Sequence, residues 1–526
     1  MGAKTKSVGE INERIGDGSV RVVTADRMTE IVRELGAEEA AKEVDVVTTG
    51  TFGPMCSSGV FLNFGHADPP IKMQRVWLND VEAYTGVAAV DAYLGATQLS
   101  EERGAEYGGG CVVEDLVAGR AVEVKAVGYG TDCYPRKEVE TTITLEDLNQ
   151  AVMLNPRNAF QRHEVGTNST DRTLYTYMGT LLPNYRNANY CGAGSLSPLC
   201  NDPDFETVGV GTRIFLCGAT GYVVGAGTQH DPANRFGTLA VSGNLKEMST
   251  EFLRGATFYG YGVSLYVGLG VPIPVLNAEV ARKAGVSDAE IETEVVDFGV
   301  GRRERPVLRR VTYEELKSGA IEIGIGRGSK GSKGSKGGTE KEVKTSPLSS
   351  FFMAKRVAEE LKSRIEAGEF LLSVPVERLP TPAESVFKPM KQTEELPLVK
   401  DVMLRETPTI SERASIADAA KLITESQTTH IPVVSANEKL VGIVTAWDIS
   451  TAVAKREEGL AEIMTRKVVT TDLEQCLELV IRKLERHNIS ALPVVDAGRR
   501  VLGMVTSDEI SKLVGKKRKR WQWRLR

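Results

Sequence analysis

The chain is poor in aromatic residues (6%), has only five histidines, and carries no excess of either charge. Sixty-five basic against seventy acidic side chains leave a net charge of −5, which argues against a surface that is basic overall and built to coat nucleic acid. The seven cysteines are odd in number, and no charged-then-apolar leader precedes Glu10 and Glu13. A secreted disulfide framework is therefore not expected; reduced thiols in a cytoplasmic chain are. One stretch, residues 258–276, is long, apolar and uncharged, but glycine at 260, 262, 268 and 270 and proline at 272 and 274 fit buried strands and turns rather than a spanning helix. Nicotinamide, flavin and iron–sulfur motifs are also missing. Cys191, Cys200 and Cys217 stand nine and seventeen residues apart, unlike the tight pairs of zinc or cluster ligation, and read as packing residues. The Gly-rich segments 218–222 and 225–230 open no amphipathic helix, so close backbone packing explains them better than phosphate binding.

What is present is a chain of 526 residues, long enough for two to four domains. In the segment Gly130-Thr131-Asp132-Cys133-Tyr134-Pro135-Arg136-Lys137 a thiol stands in a Gly- and Pro-punctuated loop with two cations just after it. The thiolate is the nucleophile, and a free thiol near pKa ~8.5 is mostly protonated at neutrality unless positive charge favours the anion. Arg136 and Lys137 supply such charge; Asp132 opposes it. The competing reading is a small buried residue. A second loop, Gly53-Pro54-Met55-Cys56-Ser57-Ser58, follows a strand-like run at 43–49. In an open α/β sheet Cys56 would lie on the rim where ligands collect. Two such thiols, if they meet, can divide a sulfur-handling reaction between carrier and resolving groups.

Residues 61–72 form a polar cluster confined by two prolines, in which His66 is a candidate acid or base. Thr24 is placed to start a helix with Met28, Ile31, Val32 and Leu35 on one face and Gly36 as its stop. Residues 138–144 read as a strand, and Thr144 with Asp147 as the capped start of a helix ending near Asn155-Pro156. Residues 326–338, GRGSKGSKGSKGG, read as a flexible low-complexity insertion. Beyond them Ala354, Val357, Ala358, Leu361 and Ile365 form a helical stripe closed by Gly368, with residues 370–372 resuming a strand. The first unit is thus expected over 1–390.

The C-terminal part repeats itself. Met403, Thr409, Pro432, Gly442 and Thr445 recur as Met464, Thr470, Pro493, Gly503 and Thr506, each 61 positions on. Each copy reads as a short strand, a helix, and two strands joined by a tight turn. The tandem resembles a pair of cystathionine β-synthase (CBS) domains, here 397–455 and 459–515, each β-α-β-β-α. That resemblance implies an adenosyl ligand, S-adenosylmethionine or an adenine nucleotide, held by Thr445 and Asp448; Thr506 is present in the second copy, but Glu509 replaces the aspartate. It also implies a homodimer through these domains. The tail 516–526 holds seven cations and two tryptophans and reads as an exposed end rather than an RNA-binding segment.

The strings GPMCSSGVFLNFGHADPPIKM, GTDCYPRKEVET, YTYMGTLLPNY, GAGSLSPLCNDP and GTRIFLCGATGYVVGAGTQHDP, in that order, resemble the homocysteine-biosynthesis family of anaerobic microbes, the L-aspartate semialdehyde sulfurtransferases. The likeness spans most of residues 10–385 and implies a mixed α/β catalytic domain ahead of the CBS pair. It implies that sulfide joins the aldehyde of aspartate semialdehyde to yield homocysteine. Two further electrons are then required, from a ferredoxin-type partner, because the chain itself lacks a redox motif. Cys133 is expected to carry sulfur as a persulfide and deliver it to the aldehyde carbon, after which Cys56 or the external reductant cleaves the remaining sulfur–sulfur bond, with the reverse order open. Arg136 and Lys137 would favour the anionic sulfur, His66 or Asp68 would move protons, and Lys72 or Arg157 would hold the substrate carboxylate. No metal or covalently bound cofactor is expected. Two other readings compete: a nicotinamide enzyme like inosine-monophosphate dehydrogenase, which also pairs a loop cysteine with CBS domains, and a non-enzymatic adenosyl-ligand sensor.

Overall fold

The computed structural model describes residues 6–302, 304–325, 339–381, 397–457 and 459–512, and the chain divides into two compact units, 1–388 and 389–526. The low-complexity stretch 326–338 and the tail 516–526 lie outside the described residues.

The first unit is mixed α/β. Val22–Thr24 and Val46–Thr48, buried throughout, pair in parallel, with Pro272–Pro274 antiparallel on the far side of the second. A parallel pair needs a crossover, supplied by the helices Ala25–Leu35 and Ala37–Glu43. The first buries Met28 and Ile31 and is closed by Gly36 at φ +78°, as expected, but Val32 is only half-buried, Leu35 is exposed, and Thr24 precedes the helix without a side-chain cap bond.

Most of the core belongs to a nine-stranded sheet. Gly262–Gly270 pairs on one edge with Leu253–Phe258 and on the other with Thr51–Pro54 and Arg213–Leu216. The sheet continues through Ala219–Ala226, Leu239–Asn244, Gln150–Asn158 and Gly59–Asn63 to Asp91–Gly95. The apolar run at 258–276 is accordingly buried strand, and among the described residues no helix is long and apolar enough to cross a membrane.

Residues 150–158 depart from the expected helix. Thr144 N–H and hydroxyl do bond the Asp147 carboxylate, but they close a turn, and Gln150–Asn158 follows as a strand. Ala151, Met153 and Asn155 are buried while the residues between them are not, a period of two that only a strand presents to one face. Residues 370–372 are likewise irregular rather than strand, although Phe370 and Leu372 are buried.

The helix Phe351–Glu366 buries Ala354, Val357, Ala358, Leu361 and Ile365 completely against this sheet and the three-stranded one. Gly50 makes that approach possible, since a Cβ there would lie 2.0 Å from the Ala354 carbonyl oxygen. The obstacle is backbone and cannot swing aside, so Gly50→Ala is expected to destabilise the unit by about 3 kcal/mol. Urea unfolding checks this; an unchanged midpoint would show that the helix has room to retreat.

Two six-stranded sheets flank the core. One places Val122–Val127 between Glu138–Ile143 and Arg75–Leu78. In the other Ala320–Ile325 pairs antiparallel with Thr339–Pro347, so the low-complexity stretch joins two hairpin strands.

In the second unit the repeat is structural. Helices Ile416–Ser426 and Leu477–His487, strands His430–Val434 and Ala491–Val495, and strands Leu440–Thr445 and Val501–Thr506 correspond at the interval read in the sequence.

Candidate functional site

The two cysteine loops occupy different places. Cys56 sits in the turn after Thr51–Pro54, which Ser58 N–H closes onto the Met55 carbonyl at 3.0 Å. Its thiol lies 3.3 Å from the hydroxyl of Ser264, a buried residue of the adjoining strand. The strand leading to Cys56 runs antiparallel in the large sheet, so its position owes nothing to the parallel-sheet rim expected from the sequence.

Cys56 lines a cavity of about 360 Å³ with Arg157, His163, Glu164, Cys191 and Tyr177. Arg157 enters because Gln150–Asn158 shifts register between Asn155 and Asn158, which breaks the alternation and turns the guanidinium inward. Ala159, at φ +51°, completes the bend. Asn155 anchors the bulge to the Cys56 turn: its amide donates to Ser58 Oγ at 2.9 Å and its carbonyl accepts from Ser57 Oγ at 3.3 Å. One guanidinium nitrogen of Arg157 donates to Gln229, while its buried Nε has no hydrogen-bond partner.

His163 Nδ1 lies 3.0 Å from the Glu164 carbonyl oxygen, which can only accept, so the ring proton is on Nδ1 and the lone pair on Nε2. Burial, with the nearby Arg157 charge, holds this imidazole below its ordinary value and therefore neutral. Glu164 is pushed the other way: burial raises its carboxyl, and Arg305, 4.0 Å away, only partly offsets it. Cys191 is raised to about 12 by burial and then by the charge of Cys56, so it stays a thiol.

Cys133 is exposed and lines none of this cavity. Its loop is a tight turn, Thr131 N–H to Tyr134 carbonyl at 2.8 Å, packed on the 65–72 loop. His66 stacks on Tyr134 with ring centroids 6.1 Å apart, Arg136 N–H donates to the Pro70 carbonyl at 3.3 Å, and the Arg136 guanidinium bonds the Asp68 carbonyl. Lys72 and Tyr134 line one surface depression. Cys133, Arg136, Lys137, His66, Asp68 and Lys72 therefore form one surface cluster, and Cys56 with Arg157 another site. The two lie at opposite ends of Gly59–Asn63, a five-residue strand about 16 Å long.

Of the cysteines read as packing residues, Cys200 donates to the Gln161 carbonyl at 3.4 Å and Cys217 is fully buried, whereas Cys191 faces the Cys56 cavity. His163, Glu164 and Cys191 are cavity residues that the local sequence does not single out. The adjacent His-Glu pair just ahead of the strand Val165–Thr167 was the available signal. Among the described residues no group of three or more His, Cys, Asp or Glu side chains is arranged to hold a metal.

In the second unit Thr445 lines a cleft of about 710 Å³ between the two copies, with His430, Trp447, Lys467 and Ser490. His430 Nε2 and Ser490 Oγ, 3.1 Å apart, bridge the copies. Thr445 and Asp448 cap the helix Ala446–Lys455, the Thr445 hydroxyl donating to the aspartate at 2.7 Å. Thr506 accepts only from Glu509 N–H, at 3.3 Å, and does not line this cleft.

Residues 20–372 match the family described as "Homocysteine biosynthesis enzyme, sulfur-incorporation", and 399–455 and 460–516 each match the CBS domain. The chain is 54% identical over 513 residues, 97% of its length and 99% of the relative's, to the L-aspartate semialdehyde sulfurtransferase of Methanosarcina acetivorans. It is 50% identical over 520 residues, 98% and 99% of the two lengths, to that of Methanocaldococcus jannaschii. Among solved structures, the CBS domain pair of protein MJ0100 in complex with 5′-methylthioadenosine and S-adenosyl-L-methionine is 43% identical, covering 23% of this chain and 98% of that one with a TM-score of 0.22.

Proposed function

The chain belongs to the homocysteine-biosynthesis family of sulfur-incorporating enzymes, and on that premise we propose that it is a sulfurtransferase making L-homocysteine from L-aspartate semialdehyde and sulfide. The single observation that carries the substrate reading is the cavity that holds the Cys56 thiol and the Arg157 guanidinium together. The thiol suits sulfur–sulfur exchange beside a bound aldehyde and the guanidinium suits a carboxylate, because the unpartnered Nε leaves a donor for a bidentate pair. Family membership also sets aside the nicotinamide-enzyme and pure-sensor readings.

Cys133 carries the sulfur. Exposed, with Arg136 and Lys137 following it, it is open to sulfide, and His66 or Asp68 beside it serves proton transfer. The Cys133 persulfide adds to the aldehyde carbon, and Cys56 then displaces the product sulfur, leaving a Cys56–Cys133 disulfide and a hydroxythiol. Loss of water gives the thioaldehyde, and two electrons and two protons from a ferredoxin-type donor give the thiol. Sulfide reopens the disulfide to one thiol and one persulfide, so the net demand is two electrons per turnover. The sulfurs join with the Cys133 loop displaced from its place here, since a disulfide needs Cα atoms within about 7 Å. The cavity position favours Arg157 over Lys72 as the carboxylate anchor.

Anaerobic turnover with semialdehyde, sulfide and a reduced ferredoxin-type protein, read by mass spectrometry, tests the proposal. Homocysteine is expected only with the reductant present; none under any reductant would refute it.

The CBS pair supplies a second, regulatory reading, an adenosyl ligand in the cleft beside Thr445 and Trp447, with Asp448 freed from its cap to take the ribose. Calorimetry with S-adenosylmethionine and adenine nucleotides is expected to show binding that Thr445→Ala weakens about tenfold, the loss of one hydrogen bond to a charged group. No heat with any of them removes the reading. Sedimentation of the full chain checks the proposed homodimer.

A further inference from the structure

We propose that Glu164 is the catalytic acid of the water-loss step, working with His163 as the base, in the cavity that holds Cys56; this rests on the sulfurtransferase reading. Addition of sulfur to the aldehyde leaves a hydroxyl on the reacting carbon, and hydroxide is a poor leaving group. A proton donor must stand in the cavity, and its pKa has to lie near the working pH to be both protonated and willing to give the proton.

The lining residues leave one candidate. Arg157 does not deprotonate. Cys191 is held at about 12 by burial, and the Tyr177, Tyr261 and Tyr313 phenols are all raised by burial as well, so none of these yields its proton readily. His163 is neutral, and its one ring proton is committed to the Glu164 carbonyl. Glu164 lines the cavity; its side chain is 46% exposed, so burial raises its carboxyl only partway, and its nearest cation is Arg305 at 4.0 Å, too far for a hydrogen bond that would keep it ionised.

The groups facing Glu164 come from several elements. Arg305 precedes the strand Val307–Thr312, and Arg162 stands two residues before Glu164; both lower its carboxyl. Glu294, on the strand Glu292–Asp297, raises it, and burial raises it most. Arg162 is itself engaged by Glu294 at 3.4 Å, so one of the two cations that act on Glu164 is drawn to another carboxylate. The Tyr177 hydroxyl, beside Arg305, completes the surroundings.

The step balances without electrons. In the adduct R–CH(OH)–SH the carbon–oxygen bond breaks, its electron pair leaves on oxygen, and oxygen takes the Glu164 proton to depart as water. The thiol proton passes to His163 Nε2, and the freed sulfur pair forms the second carbon–sulfur bond. Imidazolium then returns a proton to the Glu164 carboxylate, resetting both groups. Reduction of the thioaldehyde follows from the external donor.

The test compares wild type, Glu164→Gln, Glu164→Asp and Glu164→Ala as full chains with semialdehyde, sulfide and the reduced donor. Glu164→Gln is expected to lose kcat on the order of a hundredfold or more, with KM for the semialdehyde near that of wild type. Wild-type kcat falls as pH rises through the raised Glu164 value, a limb that Glu164→Gln lacks and Glu164→Asp retains at lower rate. Formate, entering as its acid, is expected to restore part of the rate to Glu164→Ala, which a purely structural role would not permit. Glu164→Gln with kcat within threefold of wild type, or loss without either formate rescue or a changed pH limb, overturns the assignment alone. Absence of homocysteine from wild type overturns the underlying reading, and the assignment falls with it.

Discussion

Cys133→Ala is expected to form no homocysteine from sulfide, a fall in turnover on the order of a thousandfold or more, because it removes the atom on which sulfur enters the cycle. The fold should not confuse the result. Cys133 is exposed and its turn is held by backbone bonds between Thr131 and Tyr134, so the substitution belongs to the class that shifts stability by about 0.5 kcal/mol or less. Cys56→Ala separates the two thiols. With Cys133 intact, sulfide and a mild oxidant still load the protein, visible as a mass gain of one sulfur atom, but steady turnover fails because the mixed disulfide with product is not resolved. Full activity in Cys133→Ala would move the carrier to Cys56, which already faces the cavity. Sulfur loading that survives in Cys133→Ala and disappears in Cys56→Ala would do the same.

The distance between those thiols bears on how much of the site the sequence disclosed. Each loop announced itself locally, through a cysteine among glycine, proline and charge, and the 65–72 and 130–137 loops do meet, through His66 on Tyr134 and Arg136 on Asp68. What local composition does not carry is the pairing of strands. The cavity around Cys56 is assembled from Thr51–Pro54, the bulge of Gln150–Asn158 and the segment following Asn187–Tyr190, joined only by long-range pairing. Reading residues 150–155 as the continuation of a helix capped by Thr144 hid that bulge, and with it the reason Arg157 points inward. The capping signal was real, since Asp147 does bind Thr144, but a turn satisfies those hydrogen bonds as well as a first helical turn does. Spacing alone makes Cys191 a packing residue, and spacing cannot show which cavity a lone thiol faces. By contrast, the helix Phe351–Glu366 and the repeated unit were legible because their evidence is periodic: five fully buried positions on one helical face, and an offset shared by strands and helices alike.

Arg157→Met is expected to lower kcat/KM for L-aspartate semialdehyde on the order of a hundredfold or more, almost entirely through KM. Hydrogen bonds to charged groups contribute roughly 1.5–3 kcal/mol each, and a guanidinium grips a carboxylate with two of them. Methionine keeps much of the apolar stem and removes the charge, so the cavity wall remains while the anchor is lost. Lysine should recover only part of the loss, because a point charge reproduces the attraction but not the paired geometry that the free Nε makes available. A short aldehyde without the carboxylate provides the control: wild type and Arg157→Met should process it at similar, slow rates, since neither then has a partner for the missing group. Lys72 lies in the surface cluster, outside this cavity, and Lys72→Met should leave KM for the natural substrate nearly unchanged. If instead Lys72→Met raises KM and Arg157→Met does not, the aldehyde is bound beside Cys133. The chemistry would then take place on the exposed loop, and the Cys56 cavity would have to serve some other ligand.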